Sequence, residues 1–393
     1  MLFIGIDIAS DKHDCCILSS EGKVLCDGFT FLNSRDGFEE FVNLIERYRL
    51  FPCGNEIKIG LESTGHYSAN LLAFLRLKGF NITVFNALSV NRFRTAGTLR
   101  RTKTDKSDAQ YIARLLAAGG TNSPCRQHNP LEHLKSLSRA RYRLVKEIQP
   151  LKNRYRRLIR LLFPEFIGFF CDIYSTTALC LFDALPSAHD IAGCNILKLT
   201  SVLSTASRGH FKRSKADVLK LLAQKSIAAY DPGAAFELRQ IANRIRFIED
   251  QQADLETEIH SFMLTLNSPI TSITGIGYIL GATIISEIGD IHAFSNPNKL
   301  LAFAGCEPST YQSGKFTATN TPMVKRGSRY LRNALYLATG KAYMHSPSFR
   351  SYINRKAAQG KHFYTAMSHG MKKMCRVIFA VLTSNTPYSE PAI

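Results

Sequence analysis

The sequence contains no apolar run of about eighteen residues, the length a membrane-spanning helix needs. A protein that crosses a bilayer is therefore not expected. Asp7 and Asp11 interrupt the N-terminus, so no signal peptide is expected, and neither end shows the long basic amphipathic helix of a membrane-surface binder. Its ten cysteines (15, 16, 26, 53, 125, 171, 180, 194, 306 and 375) include no CxxC pair, and no histidine stands at zinc-finger spacing. A structural zinc is unexpected; the cysteines read as small buried hydrophobes in a reducing compartment. No internal repeat or low-complexity tract appears, which excludes solenoid and disordered classes. Acids are scarce: 31 Asp+Glu stand against 50 Lys+Arg, a formal charge of +19. That imbalance points to a polyanionic partner, and nucleic acid is the reading that fits.

What is present is organised around Leu2–Ile8, an apolar strand with one carboxylate, Asp7, near its end. An acid in a buried strand needs a partner or a metal ion. A second inner strand, 56–62, ends in Glu62. A helix opening at 103–109 carries Asp105 and Asp108 three apart, so both project from one face. The blander reading of Asp105 is a helix N-cap, and of Asp7 a cap or turn residue. Together, four converging carboxylates repel unless divalent cations neutralise them, and all-oxygen ligands suit Mg²⁺ or Mn²⁺. Two such ions roughly 4 Å apart serve in-line attack on a phosphodiester.

Residues 1–120 alternate strand and helix after a hairpin (15–18 and 24–26), with helix faces at Phe38–Ile45 and Leu71–Leu77. This is the layout of the α/β RNase H/RuvC-like fold. Arg92, Arg94, Arg100, Arg101 and Lys103 lie between the last strand and the final acids, where they would hold a phosphate backbone or form a solvated face. Over 129–266 two stretches repeat apolar residues at helical spacing, Leu131 to Leu162 and Phe236 to Leu266. They are expected to form a long α-helical coiled-coil linker, pairing with each other or with another subunit, with a kink or break at Pro150. A small helical insertion is expected near 163–235. Residues 268–385 read as a mostly α-helical domain. Its Gly275-Ile276-Gly277 is similar to a helix-hairpin-helix turn, which lets backbone N–H groups approach a phosphate. Lys315, Lys325, Arg326, Arg329 and Arg332 gather after Ser313, where they would stabilise charge on a phosphate. A loop serine before glycine is ordinarily a turn residue.

Gly5-Ile6-Asp7, Glu62 to Gly65, Lys103 to Ala109, Gly275 to Gly277, Ala304 to Pro308, Gln312 to Lys315 and Lys325 to Arg332 together resemble the DEDD-type transposases of the insertion sequence 110 family. The resemblance covers about 1–120 and 268–385. It implies a RuvC-like metal domain with ligands Asp7, Glu62, Asp105 and Asp108, and a C-terminal transposase domain whose nucleophile is Ser313. It also implies cutting and rejoining of DNA strands through a phosphoserine intermediate, directed by a structured non-coding guide RNA that pairs with target and donor DNA. No histidine lies close to Ser313 in sequence, so the carboxylates must meet it through folding or across subunits. A homodimer assembling to a tetramer on DNA is therefore expected, in a bacterial or archaeal cytoplasm near the nucleoid. Four rival readings are a RuvC-like nuclease or junction resolvase without a covalent intermediate, a regulator with vestigial acids, a sugar-kinase/actin-like ATPase, and a nucleophile at Tyr311.

Overall fold

The computed structural model describes residues 1–50, 56–62, 67–97, 105–119, 131–309, 312–313, 316–317 and 321–391. The chain divides into two compact units, Met1–His128 and Asn129–Ile393.

In the first unit the elements are β1 (Leu2–Ile8), β2 (Lys12–Ser19), β3 (Val24–Leu32), α1 (Arg35–Arg49), β4 (Ile57–Glu62), α2 (Ser68–Leu77), β5 (Asn81–Phe85), α3 (Ala87–Gly97) and α4 (Asp105–Ala117). The five strands form one sheet in the order β3-β2-β1-β4-β5, with β2 antiparallel to β1 and β3, and β4 parallel to β1 and β5. β1 is central, and its near-continuous apolar sequence is explained by helices on both faces. Leu2, Ile4, Ile6 and Ile8 pack with Phe38, Phe41, Leu71 and Leu75 of α1 and α2. On the opposite face Phe3 packs with Cys16, Leu18 and Phe85 and with Ala109, Ile112 and Ala113 of α4. The two faces alternate residue by residue, as the strand period requires. Ser34 caps α1, its Oγ accepting from the Gly37 N–H at 3.2 Å. Leu77, expected on the core face of α2, is instead 88% exposed at the end of that helix.

The second unit begins with α5 (Glu132–Leu162), followed by α6 (Thr176–Ala184), α7 (Ala188–Gly193), α8 (Ile196–Ala206), α9 (Arg213–Gln224) and α10 (Pro232–Leu266). Then come α11 (Tyr278–Ile288), α12 (Pro297–Phe303), a short hairpin of β6 (Gln312–Ser313) and β7 (Phe316–Thr317), α13 (Arg329–His345), α14 (Pro347–Ala358) and α15 (Phe363–Ser384). α5 and α10 pair with each other within the chain and run antiparallel. Arg141, early in α5, meets Glu256 late in α10 at 2.6 Å, whereas Arg154 meets Glu237 near the start of α10. Two cores grip this pair at different places. One joins Ile148 to Leu162 and Ala235 to Ile248 with α6 to α9, so the stretch after α5 is a packed four-helix cap. The other joins Leu131, Leu134, Ile259 and Met263 with α11, α12, α13 and α15.

Three expectations need correcting. Of the kink or break expected at Pro150, the break does not occur: Pro150 lies inside α5 and on its exposed side, where the carbonyl deprived of its N–H partner can meet water. Phe236 is not on the apolar seam but 62% exposed, because Leu238, Ile241 and Ile245 define the buried face of α10 and Phe236 falls off it. Cys171 is exposed rather than buried, and Cys53 and Cys125 lie outside the described residues.

Candidate functional site

Asp7 and Glu62 stand at the carboxyl ends of the two central parallel strands. Ile6 of β1 pairs with Leu61 of β4, so one residue further along Asp7 and Glu62 are neighbours on the same face. That face is the one covered by α4. Gly5 and Gly60 share it, and the contacts of their missing side chains show how closely the helix sits. A Cβ on Gly5 would stand 2.1 Å from the Ala109 carbonyl oxygen, and one on Gly60 would stand 3.3 Å from Ile112 and Leu116. Glycine at position 5 therefore lets the backbones of β1 and α4 touch.

α4 presents Ala109, Ile112, Ala113 and Leu116 to the sheet, and Asp108, one turn before Ile112, is buried beside them. Asp105 opens the same helix one turn earlier. A cleft of about 350 Å³ is lined by Glu62, Asp108, Arg94 and Asn91, among others. Arg94 on α3 donates from Nη1 to Asp108 Oδ1 at 3.2 Å and from Nη2 to Asn91 Oδ1 at 2.9 Å. A cation read from sequence as a phosphate contact thus neutralises one of the acids. Arg92 is exposed on the same helix; Arg100, Arg101 and Lys103 lie outside the described residues. On β2, Asp14 is buried opposite Asp7 in the antiparallel register and accepts from the Thr30 hydroxyl.

Ser313 belongs to the second unit, where β6 pairs with β7 and Ser313 is in register with Phe316. Tyr311, Gly314 and Lys315 lie outside the described residues. The hairpin is framed by two backbone segments that lock together. The Lys325 N–H donates to the Gly305 carbonyl at 3.0 Å and the Val324 N–H to the Glu307 carbonyl at 2.9 Å. A Cβ on Gly327 (φ +143°) would stand 2.2 Å from the Phe303 carbonyl oxygen. Arg332 ties this frame, its Nη1 donating to the Ala304 and Lys325 carbonyls at 3.1 and 3.3 Å. Lys325, Arg326 and Arg329 are exposed.

One centre here was missed by sequence reasoning. Glu287 on α11 is buried and takes Arg139 of α5 in two bonds of 2.5 and 2.9 Å, together with the Ser328 hydroxyl at 2.8 Å. Ser328 is also the N-cap of α13. The Arg139 guanidinium lies over the Tyr330 ring at 4.7 Å, and Arg329 donates to the Tyr330 hydroxyl at 3.0 Å. That hydrogen bond, aided by the charges of Arg329, Arg139 and Arg143, holds the phenol below its usual pKa. The available signal was the single acid inside the apolar helix 278–288.

Gly275 is accounted for by packing: its φ is +95°, and a Cβ there would stand 2.7 Å from the Ala338 carbonyl oxygen and the Ala342 nitrogen of α13. Gly277, the N-cap of α11, faces open space and borders a cavity of about 950 Å³ that Lys341, His345 and His260 also line.

A sheet whose central strands end in acids beneath a carboxylate-bearing helix, joined to a helical domain with a cation-rich loop frame, defines an RNase H-like phosphodiester-processing enzyme. Known families match both ends of the chain: the IS110 DEDD transposase family, described as Transposase, over residues 4–164, and the family described as Transposase IS116/IS110/IS902 over residues 267–354. The chain belongs to this family of insertion-element transposases, enzymes of DNA transposition. Among its relatives, the mini-circle protein of IS117 from Streptomyces coelicolor is 24% identical, covering 99% of this chain and 95% of that protein. The pilin gene-inverting protein of Moraxella bovis is 23% identical over 99% and 98% of the two chains, and the transposase for IS1111A of Coxiella burnetii 22% over 84% and 75%.

A DEDD domain implies a divalent metal ion. The donor chemistry here fits one: Asp7 and Glu62 share a face, Asp108 borders the Glu62 cleft, and the donors are carboxylates of the kind hard cations take. Among the described residues no three such side chains already converge on one point. No helix among the described residues is long and apolar enough to cross a membrane.

Proposed function

We propose that this transposase cuts and rejoins DNA strands through a phosphoserine link at Ser313, served by Mg²⁺ or Mn²⁺ ions held by Asp7, Glu62, Asp105 and Asp108. The observation that supports it best is the shared face of Asp7 and Glu62 at the ends of adjacent parallel strands, with α4 laid across that face. The metal, when bound, supplies charge neutralisation at the phosphate and a lowered pKa for the attacking group.

In this reading the Ser313 oxygen forms a bond to phosphorus as the bond from phosphorus to the sugar oxygen breaks, and the sugar leaves as a hydroxyl carrying the proton. The phosphodiester free energy stays in the protein–DNA link, so a sugar hydroxyl of another strand can reverse the step without ATP. The Moraxella bovis relative is named for gene inversion, an outcome in which every cut end is rejoined. Lys315, Lys325, Arg326 and Arg329, with Arg92, Arg100, Arg101, Lys103 and Gly277, hold the DNA backbone, while Arg94 and Arg332 serve it indirectly, by neutralising Asp108 and by tying the loop frame, and Gly275 by letting α13 pack close. A structured non-coding RNA from the same element pairs with target and donor DNA and selects the sites. The reading requires the four carboxylates and a Ser313, from the same or a second copy, at one phosphodiester. A homodimer pairing into a tetramer on DNA is part of it.

The test is recombination between a donor and a target plasmid with the RNA supplied. Asp7→Asn, Glu62→Gln and Ser313→Ala are each expected to abolish recombination while leaving nucleic-acid binding in place. Wild-type protein trapped on nicked DNA is expected to give a denaturation-resistant adduct that mass spectrometry maps to Ser313. Cleavage that persists in Ser313→Ala with no adduct in the wild type would instead support a water-directed nuclease, and an adduct on Tyr311 a tyrosine nucleophile.

A further inference from the structure

Eight of the ten cations of α5 fall into two sets, the other two being Lys135, paired with Glu132 of its own helix, and Arg156, which lies over the Tyr174 ring. Arg139, Arg141, Lys152 and Arg154 each bond a carboxylate of α10 or α11: Glu287, Glu256, Glu249 and Glu237. Arg143, Lys146, Arg157 and Arg160 are exposed and have no acidic partner among the described residues. At 3.6 residues per turn these four fall on one side of the helix, opposite the buried Ile148, Tyr155 and Ile159. Pro150 and Asn153 fill the side between them, and no carboxylate lies on it, because Glu147 turns away to Arg244 at 2.7 Å. From residue 143 to residue 160 the stripe is about 25 Å long.

A ridge of like charges that serves only to face water would ordinarily be met by acids, as Arg139, Arg141, Lys152 and Arg154 are met by those of α10 and α11. This one is not. At its Arg143 end the neighbouring Tyr142 meets Tyr330 edge-on with ring centroids 4.9 Å apart, and the Arg329 guanidinium lies over that Tyr330 ring at 4.9 Å; the exposed Lys325 and Arg326 come just before Arg329 in the chain.

We propose that this stripe of α5 is a docking surface for the phosphate backbone of duplex DNA, leading the strand toward the 304–327 loop frame. The occupant is chosen by charge and shape: a straight, uniformly positive helix face suits a straight polyanion, and the family acts on DNA. The proposal rests on the reading of this chain as a DNA-processing transposase.

The experiment is a titration of the full-length protein with a fluorescent DNA duplex at several salt concentrations. Steep salt dependence in the wild type tests the underlying reading, and its absence overturns that reading. The stripe is tested by Arg157→Gln/Arg160→Gln. The slope of log affinity against log salt is expected to become shallower by about 2, with at least a tenfold loss of affinity at low salt. Arg143→Gln/Lys146→Gln at the other end is expected to do the same. Arg154→Gln/Arg246→Gln removes two ion-paired cations, partners of Glu237 and Asp183, and is expected to leave the slope unchanged. An unchanged slope in both stripe variants overturns the proposal, as does a loss confined to an RNA duplex of the same sequence. All variants should show native helix content by circular dichroism, since the substituted side chains touch no core.

Discussion

His13 shows how a single side chain can make this fold depend on pH. It is fully buried on β2, edge-on to Phe31 with ring centroids 5.3 Å apart and stacked on Phe38 at 6.0 Å. Burial lowers its pKa below the ordinary 6.5, against the opposing pull of Asn33 and Asp14. In the window between the lowered native pKa and about 6.5, the unfolded chain binds a proton that the folded chain refuses. Stability contributed by neutral His13 is therefore lost as pH falls below about 6.5. His13→Leu is expected to flatten that loss, seen as a smaller drop in urea midpoint between about pH 7 and about pH 5 than the wild type shows. At this scale the acids of the candidate site were legible because strand alternation exposes an intruder: Asp7 interrupts an otherwise apolar run, and Glu62 ends one. The partner of Asp108 was not legible as such. Arg94 lies 14 positions away, and nothing in an arginine-rich segment says which guanidinium turns inward.

At the scale of elements, Glu287 and Arg139 join α5 to α11 and, through Ser328, to the start of α13. Glu287→Gln leaves Arg139 without its charge partner and weakens the hydrogen bond that Ser328 makes. A fully buried pair broken on one side costs about 3 kcal/mol or more, whereas removing both charges costs far less; with the Arg139 side chain 36% exposed, the cost here is about 2 kcal/mol. Chemical denaturation is thus expected to show a loss near that size for Glu287→Gln, and most of it recovered in Arg139→Leu/Glu287→Leu. Equal stability of the two variants would show that the pair acts only through volume. The two long helices themselves could be read from spacing, since Leu134, Ile148, Tyr155 and Leu162 recur at helical intervals, as do Leu238, Ile241, Ile245 and Ile248. Their mutual partnership could not, because an apolar seam fits a neighbour in the same chain or in another copy equally well. Arg332 illustrates the same limit: its sequence neighbours advertise phosphate, but its guanidinium is spent on the Ala304 and Lys325 carbonyls.

Over the whole second unit, the apolar cores lie at opposite ends of the α5–α10 pair. From 139 to 147 in α5, and from 249 to 258 in α10, no apolar side chain is fully buried. That middle stretch is held by Arg139–Glu287, Arg141–Glu256 and Glu147–Arg244 instead. Isolated helices fray from their tips, but here the tips are clamped and the centre is held by charge. Amide hydrogen exchange should therefore run backwards from the usual order. Backbone amides near Arg141 and Ala253 are expected to exchange faster than those near Met263 and Tyr155, and raising the salt should widen the gap. Exchange that is slowest at the centre would mean the rod is a single cooperative block. Otherwise each end of the rod can open and close without the other registering it, and a cap of four helices and the domain that carries the 304–327 frame can keep separate clocks on one continuous piece of backbone.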